Sequence, residues 1–276
     1  MAQGTDEKGR YADVHGLKMY YEIHGEGHPL VLLHGAFSAI GTSFGKLLPD
    51  LARERQVIAV EMQGHGHTAD IDRPLRYEQL ADDIAALLTQ IGIEKADLFG
   101  WSLGAGVALQ TAIRHPEVVR KLVLASVTFN RGGLYPQLLA GIENSKPEDL
   151  AGTPFYEEYI RIAPNPQDFP RLFAKQQQLD GEIQDWPVEA IRAIKVPTLL
   201  IIGDSDIIRP EHTVELFRLL GGGVIGDLVG LPRSQLAVLP GTTHVILVDR
   251  AEWLLSMIPT FLDALMADEK RSAPKA

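Results

Sequence analysis

The sequence predicts an α/β fold: a mostly parallel central sheet flanked by helices, with an inserted helical cap. Three observations carry that expectation. Short, largely apolar runs recur at residues 30–33, 57–60, 96–99, 122–125, 198–202 and 236–239, and such runs suit strands buried on both faces. Helical periodicity separates most of them, and strand alternating with helix builds right-handed βαβ units and an open sheet covered on both sides. The stretch 128–192 breaks this rhythm: it holds no convincing buried strand, and Pro and Gly punctuate it often, so it reads as several short helices inserted into the sheet domain.

Taken in order, residues 17–23 (LKMYYEI) are rich in β-formers and run into the turn His24-Gly25-Glu26-Gly27, as one arm of a hairpin would. Over 77–91, Leu80, Ile84, Leu87, Leu88 and Ile91 fall at spacings of three and four and share one helix face. Residues 251–265 repeat that pattern around Pro259, which is expected to kink or restart the helix. The expected organisation is a core domain over 1–127 and 193–267, a cap over 128–192, and a polar, aperiodic tail over 268–276 that frays. Eight of the 19 aromatic residues lie between Phe129 and Trp186, either as the core of a small helical subdomain or as the apolar wall of a pocket beneath it.

Composition narrows the chemistry. The 276 residues include no cysteine, which excludes disulfide frameworks, Cys-ligated zinc, iron–sulfur clusters and cysteine nucleophiles. With 26 Lys+Arg against 36 Asp+Glu the net charge is −10, and no basic cluster is available to neutralise phosphates, so no nucleic-acid partner is expected. The N-terminus MAQGTDEKGR lacks an apolar signal region, and no run approaches the roughly 20 apolar residues of a membrane span. The expectation is a soluble cytoplasmic protein without a membrane partner.

The sharpest motif is Gly100-Trp101-Ser102-Leu103-Gly104, a G-x-S-x-G placed between an apolar strand and a helical segment. There Ser102 occupies a tight strand-to-helix turn at the sheet's C-terminal edge, and the helix N-terminus behind it favours developing negative charge. Serine is a weak nucleophile until a base takes its proton. Of the nine histidines, His34, His65, His67 and His244 lie near strand ends, where a parallel sheet collects its active groups. Only His244 comes late enough for the chain order Ser, acid, His. His212 and His115 fall in helical patterns and read as surface residues. The imidazole needs a carboxylate to fix its tautomer, and the Gly203-Asp204-Ser205-Asp206 turn offers two, Asp204 and Asp206. His65 and His67 lack a second ligand pair of recognisable spacing, so no metal and no cofactor are expected.

With His34-Gly35, Gly100 to Gly104, Gly203 to Asp206 and Gly241-Thr242-Thr243-His244 in that order on those elements, the chain resembles the α/β-hydrolase superfamily from about Lys18 to about Leu265. The segment Glu61-Met62-Gln63-Gly64-His65-Gly66-His67-Thr68 is similar to that family's D-x-x-G-x-G-x-S turn, with Glu61 and Thr68 as mild departures. The resemblance implies Asp206 as the acid beside catalytic Ser102 and His244, with Asp204 bonding turn amides. It also implies an oxyanion hole from the backbone N–H groups of Leu103 and Ala36, with Phe37 as the alternative to Ala36, and His34 as a structural residue. Phe37, Trp101 and Phe129 are the side chains expected at the substrate wall.

Relatives that open epoxides or displace halide carry an aspartate at the Ser102 position, so the resemblance points to acyl transfer to water. The expected partner is a small-molecule ester, lactones included. The alternatives with the same triad are a serine-dependent C–C bond hydrolase or a perhydrolase of the haloperoxidase type. A ligand-binding receptor on a hydrolase scaffold is the alternative from another class.

Overall fold

The computed structural model describes residues 9–182 and 185–265; the tail 268–276 lies outside them. Eight strands form one sheet: β1 (Gly9–Val14), β2 (Leu17–His24), β3 (His28–Leu33), β4 (Arg55–Glu61), β5 (Ala96–Trp101), β6 (Val119–Ala125), β7 (Thr198–Ser205) and β8 (Ser234–Thr243). Their spatial order is β1-β2-β4-β3-β5-β6-β7-β8. The pairs β1–β2 and β2–β4 are antiparallel, and the others are parallel. The hairpin partner of β2 is β1, through His15-Gly16, whereas the turn at His24–Gly27 carries the chain onward to β3.

Alternation along the strands assigns each side chain to one of two cores. Val31, Leu33, Ile58, Val60, Leu98, Leu122, Leu124 and Leu200 face one side, against the helices Tyr77–Gln90 and Leu103–Arg114. Their neighbours Leu30, Leu32, Val57, Ala59, Phe99, Val123, Ala125, Leu199 and Ile201 face the other, against Ile40–Phe44 and Ala251–Asp263. Because successive residues point to opposite faces, a strand covered on both sides is apolar almost throughout, and its buried charges are bonded, Asp97 of β5 to Arg120 and Lys121 of β6 to the Leu262 carbonyl. Pro259 sits inside the last helix without ending it.

Between β6 and β7, over the expected cap, the described residues form the helices Pro136–Asn144, Pro154–Ile162, Phe169–Gly181 and Val188–Ala193 with short 3-10 turns and no strand. Among the described residues no helix is long and apolar enough to cross a membrane.

The connections from β3 to β4 and from β5 to β6 leave in opposite directions along the sheet, so the strand order reverses between β3 and β5. Open α/β sheets bind ligands in the crevice at such a point, outside the C-terminal strand ends. Two glycines let the helix after β5 approach closely enough. A Cβ on Gly104 would overlap the Leu33 carbonyl, and one on Gly100 would overlap the Gly104 carbonyl. Backbone cannot swing aside as a flexible side chain can. Gly104→Ala is therefore expected to destabilise the fold by about 1–3 kcal/mol, lowering Tm by several degrees in a thermal melt. An unchanged Tm would show that the helix has room to shift.

Candidate active site

Five strand ends converge at one edge of the sheet. His34 to Phe37 follow β3, Ser102 follows β5, Ser126 follows β6, Asp206 follows β7 and His244 follows β8. Ser102 has φ 56° and ψ −118°, a conformation disfavoured for any residue with a Cβ. Neighbouring hydrogen bonds hold it there: its N–H donates to Ala125 O at 2.9 Å, and its carbonyl accepts from Ala105 N at 2.9 Å and Gly106 N at 3.1 Å. Such strain persists only where the surroundings over-determine the backbone, and here it turns the hydroxyl outward from the sheet.

His244 Nε2 lies 2.9 Å from Ser102 Oγ, and His244 Nδ1 lies 2.9 Å from Asp206 Oδ1. A carboxylate has only acceptors to offer, so Nδ1 carries the proton and Nε2 is left free to accept from the serine hydroxyl. Asp206 also accepts from Ser126 Oγ at 2.5 Å and from the Ile208 amide at 3.1 Å. Burial alone would push its carboxyl up, but the His244, Ser126 and Ile208 hydrogen bonds outweigh burial and hold it below the ordinary carboxylate range. Asp206 is thus the carboxylate that meets the imidazole. Asp204 instead accepts from the amides of Gly241 at 2.9 Å and Thr242 at 3.1 Å, which hold it low and pin the loop leading to His244.

Leu103 opens its helix, so its N–H has no partner one turn back. Among the described residues no backbone carbonyl takes the N–H of Leu103 or Ala36, and both residues line the cavity at Ser102. His34 is fully buried and takes no part in that cavity: Nδ1 donates to Gly35 O at 2.8 Å, and Nε2 accepts from Met62 N at 3.0 Å. Burial, reinforced by neighbouring His65, drives its pKa down to about 3, so it is neutral and holds the turn. Glu61 braces the same region by accepting from His67 N at 2.6 Å and Ile40 N at 3.3 Å. Thr68 Oγ donates to the Glu61 carbonyl at 2.6 Å. Among the described residues no group of three or more His, Asp or Glu side chains is placed to hold a metal.

The cavity above Ser102 has a volume of about 400 Å³, within the usual range for small-molecule sites. Phe37 and Trp101 line it, and Leu134, Leu138, Ile142 and Phe155 close it from the 128–192 segment. Phe129, expected at this wall, is not there. It is 1% exposed and stacks on His212 with ring centroids 4.2 Å apart. His212 is itself no surface residue: it is buried, accepts from Phe129 N at 3.2 Å, and burial lowers its pKa to about 4. The fit of Phe129 against this neutral ring draws the aromatic side chain into the core. Sequence reasoning missed Ser126, Tyr77, Gln176 and Asp180 at the site; only Ser126 carried a signal, as a hydroxyl at a parallel-strand end. No residue of the glycine-rich segment 221–232 lines this cavity.

Comparison with known proteins agrees with this architecture. The chain is 29% identical, over 94% of its length and 95% of the relative's, to a 2-hydroxymuconate semialdehyde hydrolase from Pseudomonas sp. (strain CF600). It is 31% identical, over 84% of its length and 92% of the relative's, to a pimeloyl-acyl-carrier-protein methyl ester esterase from Neisseria meningitidis serogroup B (strain MC58). An enol-lactonase from Burkholderia xenovorans LB400 shares the fold with TM-score 0.70 at 19% identity, covering 92% of this chain and 100% of that one. The profile of the Alpha/beta hydrolase family matches residues 30–256, and the chain belongs to that family.

Proposed function

We propose that this hydrolase cleaves carboxylic esters, lactones included, through an acyl-enzyme on Ser102. The observation that carries the reading is the Ser102–His244–Asp206 hydrogen-bond chain at the floor of an apolar cavity. His244 Nε2 takes the Ser102 proton as Oγ attacks the ester carbonyl, and the charge that develops on the carbonyl oxygen falls to the amides of Leu103 and Ala36. His244 then returns the proton to the departing alcohol. Water enters by the same route in reverse order, giving its proton to His244 and releasing the acid from Ser102. Asp206 fixes the imidazole's tautomer and stabilises its cationic form.

The relatives include both a methyl ester esterase and a hydrolase named for 2-hydroxymuconate semialdehyde, a carboxylate-bearing compound. Among the described residues no lysine or arginine lines this cavity, which disfavours such an anion as substrate. The partner is a small molecule, bound without a cofactor.

A panel of p-nitrophenyl esters and lactones tests this, with Ser102→Ala as control and a fluorophosphonate as trap. The expected result is turnover that Ser102→Ala abolishes, and a phosphonate adduct mapped by mass spectrometry to Ser102. Wild type indistinguishable from Ser102→Ala on every ester would overturn the reading, and cleavage confined to a vinylogous diketone would assign C–C hydrolysis instead.

A further inference from the structure

The cavity wall contributed by the 128–192 segment is apolar except at Thr128, whose hydroxyl donates to the Asn130 carbonyl at 2.5 Å, and at one further place. Gln176 and Asp180 stand one turn apart on the helix Phe169–Gly181 and both line the cavity. Gln176 Nε2 donates to Asp180 Oδ1 at 2.8 Å. That leaves two acceptors with nothing to accept from. Gln176 is 1% exposed and its Oε1 has no hydrogen-bond partner, and Asp180 Oδ2 receives no bond from any described residue. A buried amide oxygen and a carboxylate oxygen left without donors in a largely apolar cavity form a site for a donor, because an unmade hydrogen bond is costly where water is scarce. Two acceptors without a cation repel a second carboxylate.

We propose that Asp180 and Gln176 form a specificity subsite that selects esters whose acyl chain carries a hydrogen-bond donor, a hydroxyl or an ammonium group, and rejects those carrying a free carboxylate. The inference rests on the ester-hydrolase reading and names its substrate class. The titratable groups around Asp180 are the Tyr77 phenol, which lines the same cavity, and His244, whose charge opposes the effect of burial. Burial prevails over the Gln176 hydrogen bond and raises the Asp180 carboxyl to about 6. Above that pH the subsite is anionic and favours ammonium. Below it Asp180 is neutral, carries an O–H donor of its own, and no longer repels a carboxylate.

The test compares kcat/KM for four p-nitrophenyl esters of one chain length, the hexanoate, 6-hydroxyhexanoate, 6-aminohexanoate and the adipate monoester, at pH 8 and pH 5. Ratios between substrates cancel the titration of the shared triad. The amino and hydroxy esters are expected to exceed the adipate by at least about tenfold at pH 8, and the amino-to-adipate ratio to fall by about tenfold at pH 5. In Asp180→Asn the pH dependence of that ratio should vanish, and in Asp180→Leu the preference for the hydroxy ester over the hexanoate should vanish. The wild-type ratios stand alone if either variant fails to fold. Equal kcat/KM for all four esters at both pH values would overturn the subsite and leave the ester reading intact, as would a pH-dependent ratio that survives Asp180→Asn. Absence of Ser102-dependent turnover on every ester would instead overturn the ester reading.

Discussion

Replacing His244 with alanine is expected to lower kcat for ester hydrolysis by about a millionfold, with the protein still folded. The loss is that large because the serine hydroxyl has no other base in reach: His244 Nε2 is its side-chain partner among the described residues, at 2.9 Å. KM is expected to change little, since the imidazole acts on the proton and not on the bound acyl chain. The fold should tolerate the change for a reason visible at the other end of the ring. Without His244 the Asp206 carboxylate keeps its bonds from Ser126 Oγ and the Ile208 amide, so no charge is left buried without donors. The side chain of His244 also reaches solvent, with 12% of it exposed, and its removal opens no sealed cavity. Steady-state kinetics on a p-nitrophenyl ester and a thermal melt on the same sample check both halves. A collapse in Tm, or a loss of kcat below about a hundredfold, would make His244 a structural residue rather than the base.

The sequence exposes some parts of this arrangement and hides others for physical reasons. The parallel strands are legible because a strand covered on both faces is apolar almost throughout: β5 is buried at every position, and its one charged residue, Asp97, is bonded to Arg120. Strand β1 (GRYADV) is hidden because an edge strand with mixed burial carries no such run. Ser102 and His244 stand out because a parallel sheet gathers chemistry at its C-terminal edge, so position along the chain nearly fixes position in space. Asp180, Gln176 and Tyr77 escape because they lie on helices, where periodicity reports only which face is buried and not what that face meets. Phe129, in the loop after β6, misleads for a different reason: whether its side chain walls a cavity or packs a core depends on the burial of His212, 83 residues away in the chain.

Asp206→Asn is expected to lower kcat by about 10⁴-fold, whereas Asp204→Asn should cost less than about tenfold. Local pattern cannot separate the two, since residues i and i+2 of a strand share a face. What separates them is where the strand stops: β7 ends at Ser205, so Asp204 remains beside β8 and accepts the Gly241 and Thr242 amides, while Asp206 leaves the sheet toward the imidazole. An asparagine at 206 keeps the shape but can turn an N–H toward His244 Nδ1. The ring proton then moves to Nε2, and the nitrogen facing Ser102 becomes a donor that cannot accept the hydroxyl proton. An asparagine at 204 has no such consequence, because one amide oxygen still accepts from the loop and the site is exposed to water that can serve the other N–H. Asp204→Ala removes both acceptors and is expected to loosen the Gly241-Thr242 turn, with a moderate fall in kcat. Kinetics on all three variants at one pH decide the matter, and a larger loss for Asp204→Asn than for Asp206→Asn would transfer the acid's role to the loop-pinning carboxylate.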